Sequence, residues 1–325
     1  MHKVALLSKE ERAELFAETA RQMGTTNAIV EKDFWVVWVL SQVFADARLN
    51  KILMFKGGTS LSKVFDLIGR FSEDVDLILD WTLVSEEDPN AARTNSRQNK
   101  FNKLVNESAK AYIENTLLPI LSEILSPVCQ CKIDDKDAFS INIKYPSVFD
   151  DAYLRSEILL EIGPLASWLP SEEYEVQSFA AKYFPKLFSI PKCKVNTIVA
   201  KRTFWEKATI LHHEANRPEA SEMPLRYSRH YYDLAMMAKS AVKDEALHNL
   251  KLLENVVEFK KKFYPRGWAE YDNAKPGTLK LLPPEHRLTA LKKDYAAMGH
   301  MIFDKHIEFD EIIKVLAELE DEINT

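Results

Sequence analysis

Phe55-Lys56-Gly57-Gly58-Thr59-Ser60-Leu61-Ser62-Lys63, followed by Ser72-Glu73-Asp74-Val75-Asp76-Leu77-Ile78-Leu79-Asp80, is the stretch on which the reading of this chain turns. Lys51–Phe55 is a short apolar run stopped by two glycines, the pattern of a strand feeding a tight turn. Thr59 or Ser60 can cap a helix running to about Ile68, with Gly69 ending it. In the second piece Val75, Leu77 and Leu79 alternate with Asp74, Asp76 and Ile78. That period of two predicts a strand with Asp74 and Asp76 on one face. Two short carboxylates so close repel one another, and the usual relief is a divalent cation with a taste for hard oxygen, Mg²⁺ or Mn²⁺. The glycine turn offers backbone N–H groups suited to phosphate oxygens. An Asp-x-Asp by itself is a weak signal; charged strand ends are common.

Outward from this stretch, the flanks set the architecture. Leu6–Met23 and Ala28–Phe44 read as helices, Lys100–Leu125 as a third, and 88–98 as a polar loop. Val128–Ile133, Ala138–Tyr145 and Leu154–Ile162 read as strands of a meander. Lys192–Val199 reads as one more strand. Helices follow over Ala200–His213, Ser228–Ser240, Glu245–Phe263, Pro284–Met301 and Asp310–Glu322. The expectation is an α+β protein: residues 1–180 a mixed-sheet core with N-terminal helices, residues 181–325 a mainly helical domain.

Composition agrees with a folded chain. Of 325 residues, 46% are hydrophobic and 28% charged, with only 8 glycines and 14 prolines, which excludes collagen-like and linker-rich classes. No run of 18 apolar residues occurs, the N-terminal stretch is too charged for a signal peptide, and three cysteines build neither a disulfide framework nor a four-ligand zinc site. A soluble cytoplasmic protein is expected. The formal net charge of −6 is unevenly spread: −9 over residues 1–180, +9 over 181–300 and −6 over the rest. The basic stretch suits a polyanionic partner, and a set of solvated helix faces accounts for it equally well.

The order of several blocks makes the resemblance specific. The glycine turn, Arg70-Phe71-Ser72-Glu73-Asp74-Val75-Asp76-Leu77, Glu31-Lys32-Asp33-Phe34-Trp35, Leu160-Glu161-Ile162-Gly163, Arg202-Thr203-Phe204-Trp205-Glu206-Lys207 and Ser228-Arg229-His230-Tyr231-Tyr232-Asp233-Leu234 together resemble the AbiEii/AbiGii toxin family. Its members are nucleotidyltransferase-like toxins of abortive-infection and type IV toxin–antitoxin systems, related to the MenT toxins. The resemblance implies a DNA polymerase beta-like nucleotidyltransferase core with a C-terminal helical domain. It implies that Asp74 and Asp76 bind metal, with Glu161 the candidate third carboxylate. Gly58 and Thr59 match the element that contacts the triphosphate; Lys56, Gly57 and Ser60 beside them are candidate nucleotide contacts. Lys207 matches the nucleotide-phosphate lysine and Asp233 the late acidic residue, with Arg229 and His230 as further candidates. Against these stand plainer readings: Glu161 on a solvated face, Lys207 as a surface lysine, and Arg229–Asp233 as a helical i,i+4 ion pair.

The implied activity is metal-dependent transfer of NMP from an NTP to an acceptor hydroxyl, the tRNA 3′ end being the foremost acceptor. Growth arrest or abortive infection is the implied consequence, and a cognate antitoxin the implied partner. A protein acceptor and a non-catalytic NTP-binding regulator are the rival readings. Weaker signals remain. Ser72 is either an orienting residue for the metal site or a turn hydroxyl. His212-His213 lacks a second cluster at metal spacing and reads as surface or helix-end histidine. Lys260-Lys261-Lys262 with Phe263, Tyr264, Arg266 and Trp268 mixes cations and aromatics, as single-stranded nucleic acid contacts do and as helix C-termini also do.

Overall fold

The computed structural model describes residues 1–151, 154–303 and 306–325. The chain divides into two compact units, one of Met1–Val64 with Phe71–Ile198 and one of Phe65–Arg70 with Val199–Thr325.

The first unit opens with α1 (His2–Ala5), α2 (Lys9–Met23) and α3 (Asn27–Ala45). The helix expected over Leu6–Met23 starts later, at Lys9, with Ser8 as its N-cap. There the hydroxyl accepts from the Glu11 N–H, and the Glu11 carboxylate accepts from the Ser8 N–H at 2.9 Å. This reciprocal capping box starts α2. Next come β1 (Leu53–Lys56), α4 (Gly57–Lys63) and β2 (Val75–Leu79). Helix α4 closes at Lys63, short of the expected Ile68, and Asp66 turns the chain at a φ of +52°.

The third long helix begins at Asn95, inside the stretch expected to be loop. It is α5 (Asn95–Tyr112), a π turn over Ile113–Leu117, and α6 (Leu118–Leu125). The wide turn falls just ahead of Pro119, whose missing N–H a regular helix tolerates only in a first turn. The remaining elements are β3 (Gln130–Ile133), β4 (Ser140–Lys144), β5 (Glu157–Gly163), β6 (Ser171–Gln177), α7 (Phe179–Tyr183) and β7 (Lys192–Ile198).

The seven strands form one mixed sheet in the order β3-β4-β5-β2-β1-β7-β6. Strands β1 and β2 are antiparallel neighbours at its centre, flanked in parallel by β7 and β5. Along β2 the alternation holds. Val75, Leu77 and Leu79 join the large core with α3's Phe34, Trp35, Val37 and Trp38, while Ile78 meets Met54 and Ile198 on the other face. Strand β6 was not expected from the sequence. It pairs on one side only, with β7, and only Val176 of its seven residues is fully buried. An edge strand carries little of the apolar alternation that marks a central one.

The second unit is helical: α8 (Ala200–Ala215), α9 (Ser228–Ala238), α10 (Val242–Leu247), α11 (Leu250–Phe263), α12 (Glu285–Ala297) and α13 (Phe309–Asn324). The expected Glu245–Phe263 helix is two, because Asn249 caps α11 through its side chain on the Leu252 N–H at 3.3 Å. Helix α13 buries Phe309, Ile312, Leu316, Leu319 and Ile323 at helical spacing and packs on α9. The Phe65–Arg70 segment belongs here. The Gly69 N–H donates to the Tyr232 hydroxyl (3.2 Å), and the Phe303 N–H to the Gly69 carbonyl (3.0 Å). No helix among the described residues is long and apolar enough to cross a membrane.

Candidate active site

In the first unit the turn between β1 and α4 is shaped around one carboxylate. Gly57 sits at a φ of +83°, in the left-handed region that a side chain disfavours. A Cβ built there would overlap the Asp76 side chain, with 2.6 Å to its Cγ. Position 57 is therefore glycine for two separate reasons, backbone conformation and the approach of Asp76. Gly57→Ala is expected to cost about 1–2 kcal/mol from the left-handed backbone alone. It should also push Asp76 aside, so that any activity depending on this carboxylate falls further than stability does. Melting temperature and turnover measured on the same preparation separate the two effects.

Asp76 lies opposite Lys56 on β1 and beside Glu161 on β5, in a row across the sheet. Register partners share a face, and here it is the face turned away from α3. Asp74 immediately precedes β2; it and Asp76 are half-buried, whereas Glu161 is exposed. The structure thus brings Lys56, Gly57, Asp76 and Glu161 into one neighbourhood.

The hydroxyls of α4 face elsewhere. Thr59 is fully buried, and its hydroxyl donates to the Asp74 carbonyl and lies 2.9 Å from the Ser72 hydroxyl. The Ser60 hydroxyl, also buried, donates to the Gly57 carbonyl at 2.8 Å. What Thr59 and Ser60 can offer a phosphate is their backbone, while the Thr59 side chain ties α4 to the segment leading into Asp74.

In the second unit Lys207 of α8, Asp233 of α9 and Arg70 form a buried ion network. Arg70 grips Asp233 with two donors, Nε to Oδ1 at 2.7 Å and Nη2 to Oδ2 at 2.8 Å. Lys207 Nζ donates to Oδ2 at 2.7 Å and lies 3.1 Å from His230 Nδ1. Asp233 is completely buried, Arg70 and Lys207 nearly so. Burial alone would raise the Asp233 carboxyl, but the charges and hydrogen bonds of Arg70 and Lys207 outweigh it and hold the group well below the usual carboxylate range. Burial lowers Lys207, against the pull of Asp233. Burial, with the Lys207 and Arg229 charges, keeps His230 neutral, so its Nδ1 accepts from the lysine. The ion pairs of Asp233 run to Arg70 and Lys207 rather than to Arg229 one turn earlier. Lys207 is accordingly a buried lysine, and Arg229 is half-buried on α9.

The His212-His213 pair is not at the surface. His212 is fully buried, bonded through Nε2 to the Glu270 carbonyl and through Nδ1 to the Lys280 N–H, both at 3.0 Å. His213 meets the Tyr227 hydroxyl at 3.1 Å, and burial together with nearby Lys260 and Arg266 lowers it to about 3. Both are packed structural imidazoles joining α8 to the chain beyond α11. The three cysteines are free thiols, with Cys129 and Cys193 raised by burial to about 12 and Cys131 to about 11.

A family model described as nucleotidyl transferase AbiEii toxin, type IV toxin–antitoxin system, matches residues 38–315. The chain belongs to the AbiEii family. It is a nucleotidyltransferase of the toxin class that the turn and the paired carboxylates suggest. Among solved structures it is similar to MenT4, a nucleotidyltransferase toxin from Mycobacterium tuberculosis H37Rv, at 16% identity and a TM-score of 0.46, covering 98% of this chain and 100% of that one. It is also similar to a candidate nucleotidyltransferase from H. pylori, at 13% identity and a TM-score of 0.41, covering 90% and 93%. No curated protein matches the sequence.

For an AbiEii nucleotidyltransferase the half-buried carboxylate oxygens of Asp74 and Asp76 are the donor chemistry that suits a hard divalent cation. Among the described residues no three acidic, histidine or cysteine side chains form a group that could hold a metal ion. Glu161, although Asp76's register partner, is thus not gathered with Asp74 and Asp76 into a three-carboxylate cage. A pair is enough for Mg²⁺, which is usually bound by one or two carboxylates and completed by substrate phosphates and water.

Proposed function

We propose that this AbiEii chain transfers NMP from an NTP to the 3′-terminal hydroxyl of tRNA, with Mg²⁺ or Mn²⁺ held by Asp74 and Asp76, and that Glu161 assists them. The observation that carries the reading is the seating of the Asp76 carboxylate against Gly57. It puts an acidic group beside the amides of a tight glycine turn, the pairing that nucleotidyl transfer needs. In the reaction the acceptor oxygen forms a bond to the α-phosphorus, the bond to the bridging oxygen breaks, and pyrophosphate leaves with its electron pair. The metal, when bound, neutralises triphosphate charge and acidifies the acceptor hydroxyl. The backbone of Gly57, Gly58, Thr59 and Ser60 and the Lys56 side chain cradle phosphate oxygens. Within the second unit, Lys207, oriented by Asp233, and Arg229 are the candidate phosphate-contacting cations.

The basic 181–300 stretch supports a polyanionic acceptor. With NTP and tRNA as the proposed partners the activity is a cytoplasmic one, and membership of a type IV toxin–antitoxin family supports growth arrest relieved by a cognate antitoxin. The test is incubation of the purified chain with each α-³²P-labelled NTP, Mg²⁺ and total tRNA, followed by sequencing of RNA 3′ ends. Label at the tRNA terminus, lost with EDTA, is the expected result. Label in protein alone moves the acceptor to a side chain. NTP binding without turnover over any acceptor leaves a regulator instead of an enzyme.

A further inference from the structure

Three consecutive charges interrupt the apolar helix α3. Glu31, Lys32 and Asp33 are 1%, 2% and 0% exposed, in a helix whose next seven residues are all buried hydrophobics. Successive helical residues point about 100° apart, so the triplet reaches in three directions. Glu31 accepts from the Val148 N–H (2.8 Å) and the Phe149 N–H (3.0 Å) between β4 and β5. Asp33 accepts from the Phe179 N–H at 2.6 Å and pairs with Lys63, the last residue of α4. Lys32 pairs with Glu73 and donates to the Arg155 carbonyl at 2.9 Å.

Two of these reach the chain that carries the candidate site. Lys63 closes the helix that Gly57 opens, and Glu73 immediately precedes Asp74. Phe71–Asp74 belongs to no helix or strand, so no ladder of its own sets where Asp74 enters β2. Its position is set from two sides, by Thr59 of α4 on Ser72 and Asp74, and by Lys32 of α3 on Glu73. A buried ion pair is a poor source of stability, since apolar replacements of both partners are often neutral. It does fix geometry.

We propose that Lys32 is a positioning residue for nucleotide transfer, its buried pairing with Glu73 holding the Phe71–Asp74 segment so that Asp74 stays beside Asp76 and the glycine turn. The proposal rests on the reading of Asp74 and Asp76 given above.

The test uses the full chain and two readouts. Lys32→Arg keeps the charge but lengthens the reach; it is expected to lower kcat about 10- to 100-fold, because sub-ångström misplacement of reacting groups costs that much, with KM for NTP little changed. Glu73→Asp shortens the partner, and Lys32→Arg/Glu73→Asp together are expected to recover most of the lost kcat. Hydrogen exchange supplies the readout that needs no activity: the amides of 71–76 should exchange at least about tenfold faster in Lys32→Arg and return toward wild type in the double variant, with β4 unchanged throughout. Wild-type kcat and wild-type exchange in Lys32→Arg overturn the proposal, as does a loss that Glu73→Asp fails to recover. Should the wild-type chain transfer no nucleotide at all, the reading of the site fails while the exchange data still decide whether Lys32 holds the segment.

Discussion

Asp76→Asn is expected to remove nearly all nucleotide transfer while leaving the chain folded. The replacement keeps the shape of the side chain against Gly57 and removes only its charge. In the proposed reaction that charge is half of a two-carboxylate pair, and among the described residues no third carboxylate is gathered with it to compensate. The loss is expected to be on the order of 10⁴–10⁶-fold in kcat, the scale seen when one member of a catalytic group that acts as a unit is removed. Stability should hardly move, because the replacement keeps the volume of a half-buried side chain, and substitutions away from the core usually stay within about 0.5 kcal/mol. Glu161→Gln is the natural companion. It sits on the same face in register but is exposed, so its expected loss is smaller, within about tenfold to a hundredfold. Turnover with labelled NTP and thermal melts of the three proteins check this. Wild-type turnover in Asp76→Asn would remove the paired carboxylates from the reaction altogether.

The central part of this arrangement is legible in the sequence because it is local. A strand, a Gly-Gly turn and an alternating Asp-x-Asp strand are set by dihedral preference and a period of two, both read within about ten residues. The same is true of the strand that carries Glu161, since Ile158, Leu160 and Ile162 are buried as their alternation requires. What sequence reading misses is decided at long range. Thr59 looks like a phosphate-facing hydroxyl, yet it is committed to residues 13 and 15 positions later. Arg70 carries no local mark of its role, because its partner Asp233 is 163 residues away. Arg229 has the spacing for Asp233 and loses it to that distant guanidinium, which offers two donors in a fixed fork. His212 and His213 look polar enough for a surface and are buried because the Glu270 carbonyl, the Lys280 N–H and the Tyr227 hydroxyl satisfy them. The start of α2 at Ser8 is a boundary that local reading could have found, since Ser-x-x-Glu is its signature.

The buried network in the second unit carries the other large effect, and it falls on stability. Asp233→Asn leaves Arg70 and Lys207 buried with no carboxylate between them. Breaking a buried pair by removing one partner typically costs about 3–5 kcal/mol, because the remaining charge keeps its desolvation penalty and loses its compensation. Two cations share the loss here, so the upper part of that range is expected. The readout is native-state hydrogen exchange of the Tyr231–Ala235 amides of α9, which reports the local opening free energy without assuming that both units unfold together. The pH dependence gives an independent check. Asp233's folded pKa is depressed, so the unfolded chain binds its proton first as pH falls. Its stabilisation is therefore fully present above the ordinary carboxylate value near 4, and is lost as pH drops from there toward the folded pKa. The wild type and Asp233→Asn curves should accordingly run parallel from about pH 7 to 5 and converge below about pH 4. A variant as stable as the wild type at pH 7 would mean that Arg70 and Lys207 find other partners, and that the carboxylate is kept for chemistry alone. A variant that is destabilised at neutral pH, with Lys207 left uncompensated and more easily deprotonated, ties the fold of the helical unit to the same side chain that orients Lys207, the lysine proposed for the nucleotide phosphates.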